Sequence, residues 1–170
     1  MEEETAGAPA YLLIASGALN LLYSIGYGLW TLLPILMFTF ASISNVVDGT
    51  STAGEALGGW VMINIVPLLQ ILGFFITGAM ALLTMAAGVR FIRYRSKGLV
   101  WLGTLAAPGG PFVGLFVNAA SAFNLGALGL GCITGCLLGN IPTALVFLIG
   151  VVAGILAAIN INSAEPNQWS

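Results

Sequence analysis

The sequence predicts an all-α integral membrane bundle of four transmembrane helices with glycine-rich packing faces. Three observations carry that prediction: very little charge, a series of long apolar tracts, and one short turn that holds every basic residue. The chain of 170 residues is 59% hydrophobic and 6% charged, with a mean hydropathy of +1.04. A soluble domain carries about 25% charged residues. This chain lacks the polar surface that a globule in water needs.

The first tract, Tyr11 to Ile43, holds no charge. A crossing needs roughly 20 apolar residues for about 30 Å of hydrocarbon, and this tract would make a helix of about 50 Å at 1.5 Å per residue. Pro34 offers a kink or an end, so the span is expected over 11–33, with the remainder at the interface. Pro9 fits a first helical turn. The start MEEETAGAP is acidic where a secretory signal is basic, so the tract is expected to remain a span. Glu2 excludes the usual myristoylation start and NQWS is no prenylation box, which leaves spanning helices as the means of attachment.

SNVVDGTSTAGEALGG is polar and glycine-rich, with Asp48 and Glu55, and reads as an outer loop over 44–59. The second span is expected over 60–89, with Trp60 at headgroup level. The third tract begins at Gly98 and is interrupted by Pro108-Gly109-Gly110-Pro111; its span is placed at 99–118. The fourth is placed at 141–161, with Asn140 and Pro142 as helix-start residues. Between them Phe112 to Gly139 is apolar and glycine-rich with no clear loop. It could extend either helix or fold as a short hairpin shielded by protein, because bare irregular backbone does not face lipid.

All four Lys and Arg residues lie in RFIRYRSK: Arg90, Arg93, Arg95 and Lys97. Basic residues in short loops are retained on the cytoplasmic side. The 90–97 loop is therefore expected in the cytoplasm, with both termini beside it and 44–59 outside. The same four residues are candidates for contact with lipid headgroups, since each base near an anionic leaflet contributes roughly 1 kcal/mol. Glu2, Glu3 and Glu4 are expected on that side and could pair with the cluster.

Small residues recur every four positions: Ser16, Asn20, Ser24 and Gly28; Gly73, Thr77 and Ala81; Gly110, Gly114, Asn118 and Ala122; Gly131, Gly135, Gly139 and Thr143; Gly150, Gly154 and Ala158. Helices in lipid associate through close backbone approach and interhelical hydrogen bonds, which small residues permit. Polar groups inside the spans are neutral (Asn20, Tyr23, Tyr27, Asn64, Gln70, Thr77, Thr84, Thr104 and Asn118) and read as structural glue. Asn64 and Gln70 beside Pro67 could satisfy carbonyls that the proline frees.

No predicted span contains an ionisable acid or base, which argues against a proton pump, coupled transporter or voltage sensor. Histidine is absent, the acids are scattered, and no serine sits in a nucleophile motif, so catalysis is not expected. Cys132 and Cys136 share a helical face, but two ligands make no zinc site; packing is the expected role, and no metal or cofactor is expected. The formal charge of −2 and the shortness of the cluster exclude a nucleic-acid partner.

At Arg93-Tyr94-Arg95-Ser96-Lys97-Gly98, and again at Gly139-Asn140-Ile141-Pro142 after a cysteine-containing segment, the chain resembles small uncharacterised bacterial inner-membrane proteins with four predicted spans. The resemblance covers roughly residues 88–161 and implies membrane topology without an assigned activity.

The expected function is therefore that of a non-catalytic structural or accessory subunit in a bacterial inner membrane. Its partners would be membrane lipids, other membrane-protein subunits or further copies of itself. The alternative is a small oligomeric channel or facilitator for a neutral solute or gas.

Overall fold

The computed structural model describes residues 7–126, 132–165 and 168–169. Its helices are α1 (Ala8–Val47), α2 (Ala53–Ile92), α3 (Lys97–Gly126) and α4 (Cys132–Ser163). Each packs on its neighbour in sequence, and α1 also meets α4, which closes an antiparallel bundle. Among the described residues four helices are long and apolar enough to cross a membrane. The protein is an all-α integral membrane bundle.

The loop between α1 and α2 is much shorter than the 44–59 expected from the sequence. α1 continues through Pro34 to Val47, and α2 already begins at Ala53. Two local devices account for this. Gly49 takes φ +69° after Asp48, and the Thr50 and Ser51 amides turn back to the Asn45 carbonyl at 3.0 and 3.2 Å. Three residues later Thr52 opens a capping box: its Oγ1 accepts the Glu55 amide at 3.3 Å, and the Glu55 carboxylate accepts the Thr52 amide at 2.9 Å. Such a box satisfies two orphan amides at once, and the polar, glycine-bearing residues after it are drawn into helix.

The Pro108-Gly109-Gly110-Pro111 stretch lies inside a continuous helix, as the span placed at 99–118 requires. α3 runs unbroken through Pro108 and Pro111, and α4 starts at Cys132. Of the alternatives for the glycine-rich piece, the structure extends both helices; residues 127–131 lie outside the described residues. A proline at position i leaves the carbonyl at i−4 without its helical donor. Here those carbonyls belong to Thr104 and Ala107. Both face α4 at its glycines: a Cβ added at Gly154 would come 2.9 Å from the Thr104 oxygen, and one at Gly150 would overlap the Ala107 carbonyl. The glycine Cα–H groups thus point at the freed oxygens, a weak hydrogen-bonding contact common between helices.

The other interfaces follow the same rule. Gly17 of α1 meets α2 at the Ala81 carbonyl, 2.8 Å from an added Cβ, and Gly88 of α2 meets the Ala10 carbonyl at 2.9 Å. Gly103 abuts Ala87, and Gly110 abuts Asn20, Met80 and Thr77. These contacts place Ala10, Leu13, Phe91, Tyr94, Val100, Ala153, Ala157 and Ile161 together as the buried apolar cluster at one end. The 40-residue α1 and α2 are each about 60 Å long, against about 45 Å for the 30-residue α3. At the far end the longer hairpin stands open: from Leu36 to Ile63 no residue is buried.

Candidate functional site

Two regions concentrate charged or polar side chains, the basic turn and a polar seam within the bundle. The turn begins as α2 ends. Arg90 lies in the last helical turn, where a cation complements the negative end of the helix dipole. The Arg95 amide reaches back to the Arg90 carbonyl at 2.9 Å, and Tyr94 and Ser96 adopt left-handed backbone with φ 48° and 56°. Left-handed non-glycine residues cost about 1–3 kcal/mol each. What holds Tyr94 there is packing: its ring meets Phe91 edge-on at 5.7 Å, and its hydroxyl donates to Asn160 Oδ1 at 3.3 Å. Tyr94 is buried, while Arg90, Arg93, Arg95 and Lys97 are all exposed.

The C-terminal tail folds onto this turn. Trp169 stacks on Phe91 with centroids 5.9 Å apart and meets Tyr94 edge-on at 5.4 Å. The Lys97 ammonium sits 5.6 Å from the centre of the Trp169 ring, a cation–π contact. The start of α1, the tail and the basic turn therefore share one end of the bundle. Glu2, Glu3 and Glu4 lie outside the described residues. Asp48 and Glu55 occupy the opposite end. Glu55 is exposed, and the Thr52 backbone amide, followed by the Thr52 side chain, holds its carboxyl below the usual range.

The seam consists of Ser16, Asn20 and Ser24 on α1, Thr77 and Thr84 on α2, Thr104 on α3 and Thr143 on α4, all buried. Most of these groups serve the backbone. Ser24 donates to the Asn20 carbonyl at 2.8 Å and Thr104 to Val100 at 2.8 Å. Thr77 and Thr84 donate to Gly73 and Met80 within α2, with a second acceptor across the interface at Gly110 (3.2 Å) and Gly103 (3.5 Å). Tyr23 and Thr143 join α1 to α4 through a short hydroxyl–hydroxyl bond in which either group can donate. Ser16 Oγ and Asn20 Oδ1 are buried without a partner. Asn64 donates to the Trp60 carbonyl at 2.9 Å, not to that of Ile63, the one that Pro67 frees.

Of the glycines read as packing residues, Gly110, Gly150 and Gly154 sit in close interfaces, and Gly114 makes an ordinary contact with Thr143 at 3.5 Å. Gly135 and Gly139 fall on the first turns of α4 with surroundings that are not described, as are the side chains of Asn118, Cys132 and Cys136; Gly131 lies outside the described residues. Gly17, Gly88 and Gly103 were missed by rows of strict four-residue spacing. Such a row slips about 40° around the helix at each step. The faces that pack alternate threes and fours, as in Gly17, Asn20 and Ser24 or Gly103, Ala107 and Gly110.

Two grooves open on the α1–α2 hairpin. One, of about 490 Å3, is bordered by Ser24, Gly28, Leu32, Phe74 and Gly78. The other, of about 440 Å3, lies near the tip beside Val47, Leu57 and Trp60. Comparison with known proteins gives no match: no family model, curated protein or solved structure is similar to this chain.

Proposed function

We propose that this protein is a non-catalytic structural or accessory subunit that packs its α1–α2 hairpin against partner helices, in a membrane complex or a homo-oligomer. The supporting observation is the contrast between used and unused faces. Gly110, Gly150 and Gly154 are occupied within the bundle, whereas Gly26, Gly28, Gly58, Gly59 and Gly78 have nothing within 4 Å of an added Cβ. Open glycines on an apolar helix allow another backbone to come close, which is how helices associate in lipid. The hairpin also exceeds the bilayer: about 60 Å of helix meets about 30 Å of hydrocarbon, and the surplus carries Val47 and Met62 at 78% and 82% exposure. A partner that covers this surplus removes the mismatch.

In this reading the basic turn and both chain ends face the cytoplasm of a bacterial inner membrane. A facilitator for a neutral solute ranks second, because glycine contacts bring neighbouring helices close and both grooves are bordered by α1 and α2 alone.

Purification at native expression in a mild detergent tests the proposal. A stoichiometric larger partner or a homo-oligomer is expected, and Gly28→Leu with Gly78→Leu should dissociate it without unfolding the chain. A monodisperse monomer from native membranes would overturn the reading. Solute flux in liposomes above that of empty vesicles would favour the facilitator.

A further inference from the structure

We propose that the Arg90–Lys97 turn, with Trp169 docked beside it, is a binding site for the headgroup of an anionic phospholipid. This goes beyond setting orientation, for which charge alone suffices and no built geometry is needed.

The geometry supplies what a lipid phosphate requires. Tyr94 and Ser96 are both left-handed, and between them the turn sends Tyr94 into the bundle while Arg93 and Arg95 remain outside. Arg90 stands one helical turn before them and Lys97 opens α3. Four exposed cations thus lie within one turn at this end of the bundle, the basic rim. Among the described residues the carboxylate that shares this end is Glu165, on the tail, whose amide is engaged by Gln168 Oε1 at 3.1 Å. Asp48 and Glu55 are a full hairpin length away. Among the described residues this end therefore carries four cations against one carboxylate, an imbalance that an external anion or the Glu2–Glu4 carboxylates can neutralise. Arginine forks match phosphate oxygens in geometry as well as charge.

Trp169 forms one wall of the rim. The ring lies against Phe91 and Tyr94, and the Lys97 ammonium is held over it. A cation–π contact uses the ring face and leaves ammonium N–H groups free to donate. Immediately membrane-ward, Val89 and Leu102 are 57% and 56% exposed. Phosphate at the rim and acyl chains along this apolar surface match the two halves of one lipid. A phosphatidylglycerol-type headgroup fits, since it carries net negative charge; phosphatidylcholine brings its own cation to a site already crowded with them.

Detergent-purified protein tests this, because no membrane orientation exists there to be disturbed. Phosphatidylglycerol is titrated against wild type and the Arg93→Gln/Arg95→Gln variant, and thermal unfolding is followed, with phosphatidylcholine and inorganic phosphate in parallel. Phosphatidylglycerol should raise the wild-type Tm, and the effect should fade at high salt. The double variant should need a roughly fivefold higher lipid concentration for each charge removed. Arg93→Lys/Arg95→Lys should restore part of the shift. Equal shifts from phosphatidylcholine, a shift from inorganic phosphate alone, or an unchanged double variant would overturn the proposal. So would a wild type that shows no shift, as when Glu2, Glu3 and Glu4 already neutralise the turn. If the Gln variant fails to fold, wild-type native mass spectrometry decides: retained phosphatidylglycerol that salt strips supports the site, and salt-insensitive or absent lipid refutes it.

Discussion

The α3–α4 interface and the outer part of the α1–α2 hairpin are built from similar residues and behave in opposite ways. Both are apolar and rich in glycine, and apart from Asp48 and Glu55 at the hairpin tip both are uncharged. At α3–α4 the glycines face carbonyls: Gly150 meets Ala107 and Gly154 meets Thr104, the two oxygens that Pro111 and Pro108 deprive of helical donors. On the outer hairpin Gly26, Gly28, Gly58 and Gly59 face open space. A glycine therefore has no fixed meaning in a membrane helix. It marks an interface only where the facing helix offers a backbone atom at the right height, and prolines can create that demand.

The comparison breaks most visibly by filling one glycine on each side. Gly150→Leu should abolish folding or cost about 3 kcal/mol, the upper end for overpacking, because the obstacle is a carbonyl and not a flexible side chain. Gly28→Leu, at an open position, should leave the unfolding midpoint of the isolated chain unchanged. Thermal or detergent-induced unfolding of both variants measures the difference. Equal destabilisation would mean that the two faces are alike.

A smaller loss, of about 1 kcal/mol, is expected for Thr52→Ala, which removes the cap that starts α2. Hydrogen exchange should show the opening confined to the hairpin tip, with α3 and α4 unaffected. Tyr23→Phe removes the hydroxyl that ties α1 to Thr143, and should cost about 0.6 to 2 kcal/mol. It should loosen α1 from α4 while α1 stays on α2, detectable by cross-linking of cysteine pairs introduced into a cysteine-free background.

The smallest effect concerns acid. The Glu55 carboxyl is lowered in the folded protein by the Thr52 amide. Its contribution is therefore complete at neutral pH and is lost as pH falls through a folded-state value below the ordinary carboxylate range. Exchange at the tip amides should accelerate there, and Glu55→Gln should remove that pH dependence. An unchanged profile in Glu55→Gln would assign the acid sensitivity to another group.

Parts of this structure were legible in advance. The sequence Thr52-Ala-Gly-Glu55 has the spacing of a capping box, yet its polar surroundings read as loop, and the helix start was placed too late. Pro34 read as a kink or an end because proline is a breaker in water, while Pro108 and Pro111 were placed inside the third span. In a bundle the freed carbonyls find partners on neighbouring helices, and helices continue through such positions. Asn20, Thr77, Thr84 and Thr104 of the seam were read as polar glue and Ser16, Ser24 and Thr143 only as small packing residues, but Thr77, Thr84 and Thr104 each bond a carbonyl on their own helix, so much of the expected glue between helices acts within them. The docking of Trp169 on Phe91 and Tyr94 left no trace in periodicity, since it joins a tail to a turn some 75 residues away in sequence.

By itself the sequence determined the class of molecule, the number of helices and the clustering of positive charge. Those follow from composition and from the cost of placing charge and unpaired backbone in hydrocarbon, which act on every residue wherever it sits. Tertiary structure alone decided which glycines close an interface, which carbonyls the prolines hand to α4, and which aromatic rings secure the basic turn. Each of those outcomes depends on what stands opposite at a distance of a few ångströms, and no local stretch of sequence records its neighbour across the bundle.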